Sequence, residues 1–115
     1  MAQLMDEQEF RLKADVMLED ARKALLPLAD EHDFEVEFDA GTLNLTFEEP
    51  QPARFVISPN TPVRQIWVSA LARSFKLGWS EEASAFVLEK TGETLRQVLA
   101  RLVNEQLGTG QAIQL

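Results

Sequence analysis

The sequence predicts an α+β fold, a two-layer α/β sandwich in which an N-terminal and a C-terminal helix pack on one face of an antiparallel sheet of about six strands. Three observations support this prediction. Apolar residues recur every three or four positions at both ends of the chain, they alternate with polar residues in between, and Pro or Gly separates the alternating runs. Helices at the two ends of such a run are typical of α+β proteins, and they leave the second sheet face open.

The first helix is predicted over roughly residues 5–29. Its apolar face consists of Phe10, Ala14, Met17, Ala21, Ala24, Leu25 and Leu28. Pro27 falls near its end, where we expect the helix to stop or bend, because proline lacks a backbone N–H. The residues that follow, Asp30, Glu31 and Asp33, are therefore expected in a connection to the first strand.

Strands are predicted between residues 34 and 89. Residues 34–38 and 43–47 alternate in polarity around the turn Asp39-Ala40-Gly41 and indicate a hairpin. Two further strands are expected at 54–58 and 64–70, with Pro59 and Pro62 between them, and shorter ones at 74–77 and 85–89.

A second helix is predicted over about residues 92–107, with Thr91 as its cap and Gly108 at its end. Its buried stripe consists of Leu95, Val98, Leu99, Leu102 and Val103. With a short C-terminal tail, residues 1–115 are expected to form a single domain.

Composition excludes several classes of site. The chain of 115 residues is 45% hydrophobic and has no cysteine, so disulfides, thiolate metal sites and cysteine nucleophiles are excluded. The single histidine, His32, is far in sequence from any serine, and no nucleophile-elbow, P-loop or dinucleotide-binding pattern occurs. We therefore expect that the protein is not an enzyme. A small hydrolase that uses surface carboxylates is the least favoured of three functional interpretations, and the other two are given below.

The net charge of −8 is concentrated at one end. Residues 1–39 contain twelve acidic and four basic residues, whereas the rest of the chain is balanced. Such a field repels phosphates and anionic lipids, so we expect neither nucleic acid nor membrane as a partner, and we expect cations and basic protein surfaces instead. No signal-peptide pattern and no apolar run of about 20 residues is visible, so a cytoplasmic location is expected.

Acidic side chains of the first third are candidate metal ligands. Asp15 and Glu19 are one helical turn apart, and Glu35 and Glu37 share one face of a strand. Asp30, Glu31 and Asp33 lie between these elements, with His32 among them. Exposed carboxylates attract hard cations such as iron, calcium, magnesium or manganese, with ferric iron bound most strongly and other divalent cations competing. Without a closed cage the binding should be weak and multi-site. A merely solvated acidic face is the alternative.

The fourth strand predicts a docking face. If Ile66 and Val68 face the helices, then Gln65, Trp67 and Ser69 point to the open side. An exposed tryptophan favours protein binding, and Asn44 on the second strand would widen the same polar surface. The opposite phase, with Trp67 in the core, is the alternative.

Several segments together resemble a known family. Residues 55–69 (FVISPNTPVRQIWVS), the helix opening Glu9-Phe10 with Ala14-Asp15, residues 41–47 (GTLNLTF) and residues 92–95 (GETL) occur in the order found in the frataxin family, in particular its bacterial branch, the CyaY proteins. The resemblance covers roughly residues 5–108. It implies a two-layer sandwich whose first helix and first strand bind ferrous or ferric iron. It also implies that the sheet surface of that sandwich docks on a cysteine desulfurase and the iron–sulfur scaffold protein.

The resemblance also assigns residues by position. The implied iron ligands are Asp15, Glu19, Asp20, Asp30, Glu31, Asp33, Glu35 and Glu37. The docking residues that the resemblance implies are Gln65 and Trp67. Further candidates for the same surface are Asn44, Asn60, Ser69 and Arg73. A monomer is expected without metal, and iron-driven oligomerisation is left open.

One departure from the family pattern concerns the metal ligands. Arg22 and Lys23 stand where bacterial relatives have paired acids, and both can pair with Glu19 and compete with a cation for its carboxylate. An acidic, dimeric secretion-type chaperone that binds an unfolded protein segment is the alternative function, and oligomeric state separates it from a frataxin-like protein.

Overall fold

The computed structural model describes residues 5–108. The two helices are α1 (Glu7–His32) and α2 (Leu95–Leu107). The six strands are β1 (Glu35–Asp39), β2 (Thr42–Phe47), β3 (Ala53–Asn60), β4 (Gln65–Ala70), β5 (Arg73–Ser80) and β6 (Ala85–Leu88). A single 3₁₀ turn, Thr61–Val63, joins β3 to β4. Neither of the two helices in this part of the chain combines the length and the apolarity that crossing a membrane requires.

The six strands form one antiparallel sheet in which spatial order equals chain order, from β1 to β6. Both helices lie on the same face: α1 contacts β1, β2 and β3, and α2 contacts β6 and α1. The predicted fold class is therefore confirmed, with one sheet face covered and the other open.

Alternation along the strands places the core between the sheet and the helices. The fully or nearly fully buried strand residues include Leu43, Leu45, Phe47, Phe55, Ile57, Ile66, Val68, Leu77 and Phe86. The rings of Phe10 on α1 and Phe86 on β6 meet edge to face, with their centroids 5.7 Å apart. All five residues of the stripe predicted for α2 are buried.

The sequence predicts that α1 ends near residue 29, with Pro27 close to that end, whereas the helix continues to His32. A proline removes only one backbone hydrogen bond, and the buried residues Leu25 and Ala29 hold the chain against the sheet on both sides of it. The end is closed by Asp33, which adopts the left-handed conformation and donates its backbone N–H to the carbonyl of Ala29. Asp30 and Glu31 therefore belong to the helix and not to a connection, and Asp33 is its C-cap.

The predicted cap of α2 is also displaced, from Thr91 to Thr94. The Thr94 hydroxyl accepts the backbone N–H of Gln97 at 3.3 Å, and the Gln97 side chain accepts the N–H of Thr94 at 2.9 Å. This reciprocal capping box satisfies two N–H groups at once, whereas Thr91 lies in the turn after β6. Gly108 ends the helix as predicted.

Strand β3 runs through Pro59 to Asn60 and is longer than predicted. Its pairing with β2 stops at Ile57, so Pro59 pairs only with Ile66 of β4. Pro59 has no pairing partner on β2, so its missing N–H costs no hydrogen bond to that strand. This is typical of proline at an edge position.

Candidate functional site

The open face of the sheet carries Trp67. The flanking residues Ile66 and Val68 are buried, whereas Trp67 is 37% exposed. Its neighbours across the sheet are Ser58 on β3 and Lys76 on β5. The predicted phase of β4 is confirmed, and the alternative in which Trp67 belongs to the core is wrong.

Two polar neighbours fix the orientation of the Trp67 ring. Its indole Nε1 donates a hydrogen bond to Gln65 Oε1 at 2.9 Å, and Lys76 Nζ lies 4.8 Å from the ring centroid. A groove of about 380 Å³ runs beside the ring towards Ser69 and Ser74. An exposed aromatic ring held in one orientation loses little side-chain entropy when a partner covers it.

The other polar residues predicted for this face occupy it as expected, with one exception. Val56 of β3 pairs with Asn44 of β2 on one side and with Ser69 of β4 on the other. Asn60 of β3 pairs with Gln65 of β4. These residues therefore extend the surface around Trp67 across strands β2 to β4.

Arg73 is the exception. It lies opposite Ala70, which is buried, so the alternation of the hairpin turns Arg73 towards the helices. There its Nη2 donates to Glu105 Oε2 of α2 at 2.6 Å. The structure does not bring Arg73 to the face of Trp67.

The acidic residues in the middle of α1 are partly neutralised. Arg22 donates two hydrogen bonds to Glu19, at 2.8 and 3.0 Å, and Arg96 of α2 donates two to Asp20, at 2.8 and 2.9 Å. The hydrogen bond from Arg22 lowers the pKa of Glu19 below its ordinary value, which keeps this exposed carboxylate charged but paired. The competition predicted for Arg22 is present, and Asp20 has a second role as a link between the two helices.

A second group of acidic residues surrounds an open cleft beside the edge strand β1. The cleft has a volume of about 350 Å³ and is lined by Asp33, Phe34, Glu35, Thr46, Glu48 and Glu49. Antiparallel pairing of Glu35 with Thr46 brings the start of β1 next to the end of β2, where Glu48 and Glu49 follow. Among residues 5–108, no basic side chain lines this space. We call Asp33, Glu35, Glu48 and Glu49 the acidic cleft.

The remaining candidate ligands lie around the acidic cleft or beyond it. Glu37 lies two residues after Glu35 on β1 and pairs with Asn44 of β2. Asp30 is exposed on the last turn of α1. Glu31 Oε2 is 4.0 Å from His32 Nε2, and Asp15 is exposed near the middle of α1. Among residues 5–108, no three acidic or histidine side chains converge as a closed metal site. The arrangement fits loose cation binding with water retained, not a rigid cage.

Glu48 and Glu49 lie between the strands predicted at 43–47 and 54–58 and are not among the candidate ligands that the sequence indicates. The signal that identifies them is the hairpin register, since the predicted β1–β2 turn already implies that residues after Phe47 return to the start of β1.

Two arginine–carboxylate pairs give a pH dependence that can be measured. Arg101 donates two hydrogen bonds of 2.9 Å to Glu93, and this contact lowers the pKa of Glu93 below 4.5, as Arg22 does for Glu19. A lowered native pKa stabilises the fold above the ordinary value, and the contribution is lost as the pH falls through the native pKa. We expect urea unfolding between pH 7 and pH 3 to show a smaller acid-induced loss for Glu93→Gln than for the wild type; parallel curves would contradict this.

The described features define a class of protein, a small two-layer α/β binding domain with an acidic edge and an open sheet face that exposes a tryptophan. A family model described as a frataxin-like domain matches residues 3–109. The chain belongs to the frataxin family.

Two curated relatives share the name iron-sulfur cluster assembly protein CyaY. The chain is 33% identical over 94 residues to the iron-sulfur cluster assembly protein CyaY of Pseudomonas putida (strain GB-1), which covers 80% of this chain and 84% of the relative. It is 31% identical over 94 residues, with the same coverage, to the protein of that name from Pseudomonas entomophila.

Solved structures share the fold. Frataxin from Psychromonas ingrahamii superposes with a TM-score of 0.71 over 96% of this chain and 97% of that one, at 16% identity. Yeast frataxin gives 0.68 over 90% and 85%, at 22% identity. The resemblance seen in the sequence is thus confirmed, and the secretion-chaperone alternative is not favoured.

Proposed function

We propose that this protein is a non-enzymatic accessory protein of iron–sulfur cluster assembly, which holds Fe²⁺ or Fe³⁺ loosely at its acidic edge and docks on a cysteine desulfurase and its scaffold protein through the face of Trp67. Membership of the frataxin family and the name of the two curated relatives support the pathway. Iron is the cargo in this proposal. A cytoplasmic location and a monomeric metal-free state belong to the same proposal.

The observation that carries the iron-binding part is the acidic cleft, in which four carboxylates surround one space and no arginine or lysine lines it. A cation at Glu19 or Asp20 must first displace a doubly hydrogen-bonded arginine. A cation in the acidic cleft displaces only water. We therefore place the preferred iron position at this end of β1, with the other carboxylates of α1 adding to the negative field.

The chemistry of the ligands fits a transient carrier or regulator. Carboxylate oxygens are hard donors, which suit Fe³⁺ and Fe²⁺, and an open cleft leaves several coordination positions to water. Such an ion exchanges readily, so it remains available to a partner that covers the neighbouring sheet face.

An anaerobic titration of isotopically labelled protein with Fe²⁺, followed by amide NMR, tests this part of the proposal. We expect paramagnetic broadening to begin at residues 33–35 and 46–49, with the diamagnetic ion Mg²⁺ as the control for amide shifts caused by charge alone. Glu35→Gln combined with Glu49→Gln should lower the apparent affinity by about thirtyfold, since each carboxylate contributes on the order of 1 kcal/mol to a nearby charge in water, about 2 kcal/mol for the two.

A matched variant separates a local site from a general field. Glu81→Gln with Glu82→Gln changes the net charge equally, but these exposed residues follow β5 at the opposite edge and opposite end of the sheet. We expect its affinity for Fe²⁺ to stay within twofold of the wild type. Equal weakening by both variants, or broadening that starts at residues 15–20, would overturn the assignment to the acidic cleft.

A further inference from the structure

Half of one edge of β5 has no partner strand within the described part of the chain. Strand β6 has four residues and pairs only from Leu77 to Ser80, so Arg73–Lys76 pair with β4 alone. The backbone leaves the sheet after Leu88, because the N–H groups of Thr91 and Gly92 both turn back to the Leu88 carbonyl, at 3.2 and 2.7 Å. The N–H and C=O groups on this side of Arg73–Lys76 are therefore available for pairing.

A cavity of about 590 Å³ lies along this free edge, and we call the edge and its cavity the β5 notch. Phe75 and Leu88 give the notch an apolar wall, and Lys76, Lys90 and Arg101 surround it. The notch is continuous with the groove of Trp67, since Ser74 and Lys76 line both.

The charge of the β5 notch is opposite to that of the molecule. Lys76 and Lys90 form no ion pair with any carboxylate among residues 5–108, whereas Arg101 is held by Glu93. Glu89 is the acidic residue of the lining. The opposite edge of the sheet, β1, carries Glu35, Glu37 and Asp39 instead. The two edges thus select partners of opposite sign, and this one favours acidic chains.

We propose that the β5 notch binds a short, extended, acidic peptide of a partner protein, which adds as a strand of about four residues alongside Arg73–Lys76. Backbone pairing with β5 supplies hydrogen bonds, carboxylates meet Lys76 and Lys90, and apolar side chains of the other phase cover Phe75 and Leu88. The length of the free edge sets the segment at about 13 Å, from about 3.3 Å per residue. Iron plays no part in this contact, so its failure leaves the iron-binding proposal intact.

The test uses an acetylated and amidated peptide, Glu-Val-Glu-Val-Glu-Val, added to labelled full-length protein. We expect amide shifts confined to residues 73–76 and 88–91, with slower hydrogen exchange at 73–76. The same peptide with Gln for Glu should bind at least fivefold more weakly. Lys90→Glu should weaken binding at least fivefold, whereas Lys23→Glu, an equal change on α1, should leave it within twofold.

Backbone methylation of the peptide separates strand addition from simple charge attraction. N-methyl groups on one set of alternate residues should abolish binding, and those on the other set should leave it intact, because only one set faces β5. Equal binding of both methylated peptides, or equal binding to Lys90→Glu, would overturn the proposal. Concentration-dependent sedimentation without peptide, with shifts at both 73–76 and 35–39, would also overturn it, since a second copy's β1 would then be the occupant.

Discussion

Replacing Trp67 with alanine is expected to weaken binding to a cysteine desulfurase by about thirtyfold or more, in line with the 2 kcal/mol or more that marks a hot spot, while the fold remains intact. The side chain is 37% exposed on the uncovered face, and its contacts are the surface residues Gln65 and Lys76. Calorimetric titration of the metal-free protein with the desulfurase measures the binding, and urea unfolding measures the fold.

Leu12→Ala is the matched control for this substitution. Leu12 is 62% exposed on α1 and lies away from the sheet face, so truncation there removes apolar surface without touching the docking surface. We expect unchanged desulfurase binding. A Trp67→Ala protein that loses cooperative unfolding would show that the ring supports the core, and one that binds normally would remove Trp67 from the docking face.

Replacing Phe86 with alanine is expected to lower the free energy of unfolding by about 3–5 kcal/mol, the usual cost of removing a buried aromatic ring. The ring is fully buried between Phe10, with centroids 5.7 Å apart, and Trp79, at 5.3 Å, so its loss opens a cavity between α1 and the β6 edge. A domain of this size has a total stability of about 5–15 kcal/mol, so this loss is a large share of it and the midpoint of urea unfolding should fall clearly.

Phe86→Leu keeps this prediction testable if the alanine variant does not fold. Leucine refills most of the space, so we expect a loss clearly smaller than that of Phe86→Ala in urea unfolding at pH 7. A loss below about 1 kcal/mol for alanine would mean that the surrounding residues collapse around the site, and equal losses for leucine and alanine would mean that leucine does not refill the space.

Local patterns were sufficient for most of the fold. Alternation fixes the faces of a strand, so the exposure of Trp67 followed from Ile66 and Val68. Element ends were harder, since they depend on contacts that local rules do not contain. Because proline disfavours helix, Pro27 places the predicted end of α1 near residue 29, whereas burial of Leu25 and Ala29 accompanies a helix that continues to His32.

The sequence predicts which kinds of residue form the candidate site, but not which of their side chains contact one another. The excess of carboxylates at the start of the chain is visible in the sequence, yet the link from Asp20 to Arg96 joins positions 76 residues apart and requires the packing of α1 on α2. Glu48 and Arg73 show the same limit. The β1–β2 pairing brings Glu48 to the acidic cleft. The β4–β5 pairing turns Arg73 away from the face of Trp67.

The sheet order also has a consequence for how the chain folds. Because every strand pairs only with the strands before and after it, each pairing in the sheet closes a short loop, and the entropy lost in forming it is small. The contact of Phe10 with Phe86 and the bridge from Asp20 to Arg96 require far longer loops. Low contact order in the sheet favours early, rapid formation of hairpins, and the two helices then complete the core late by closing the ends of the chain over it.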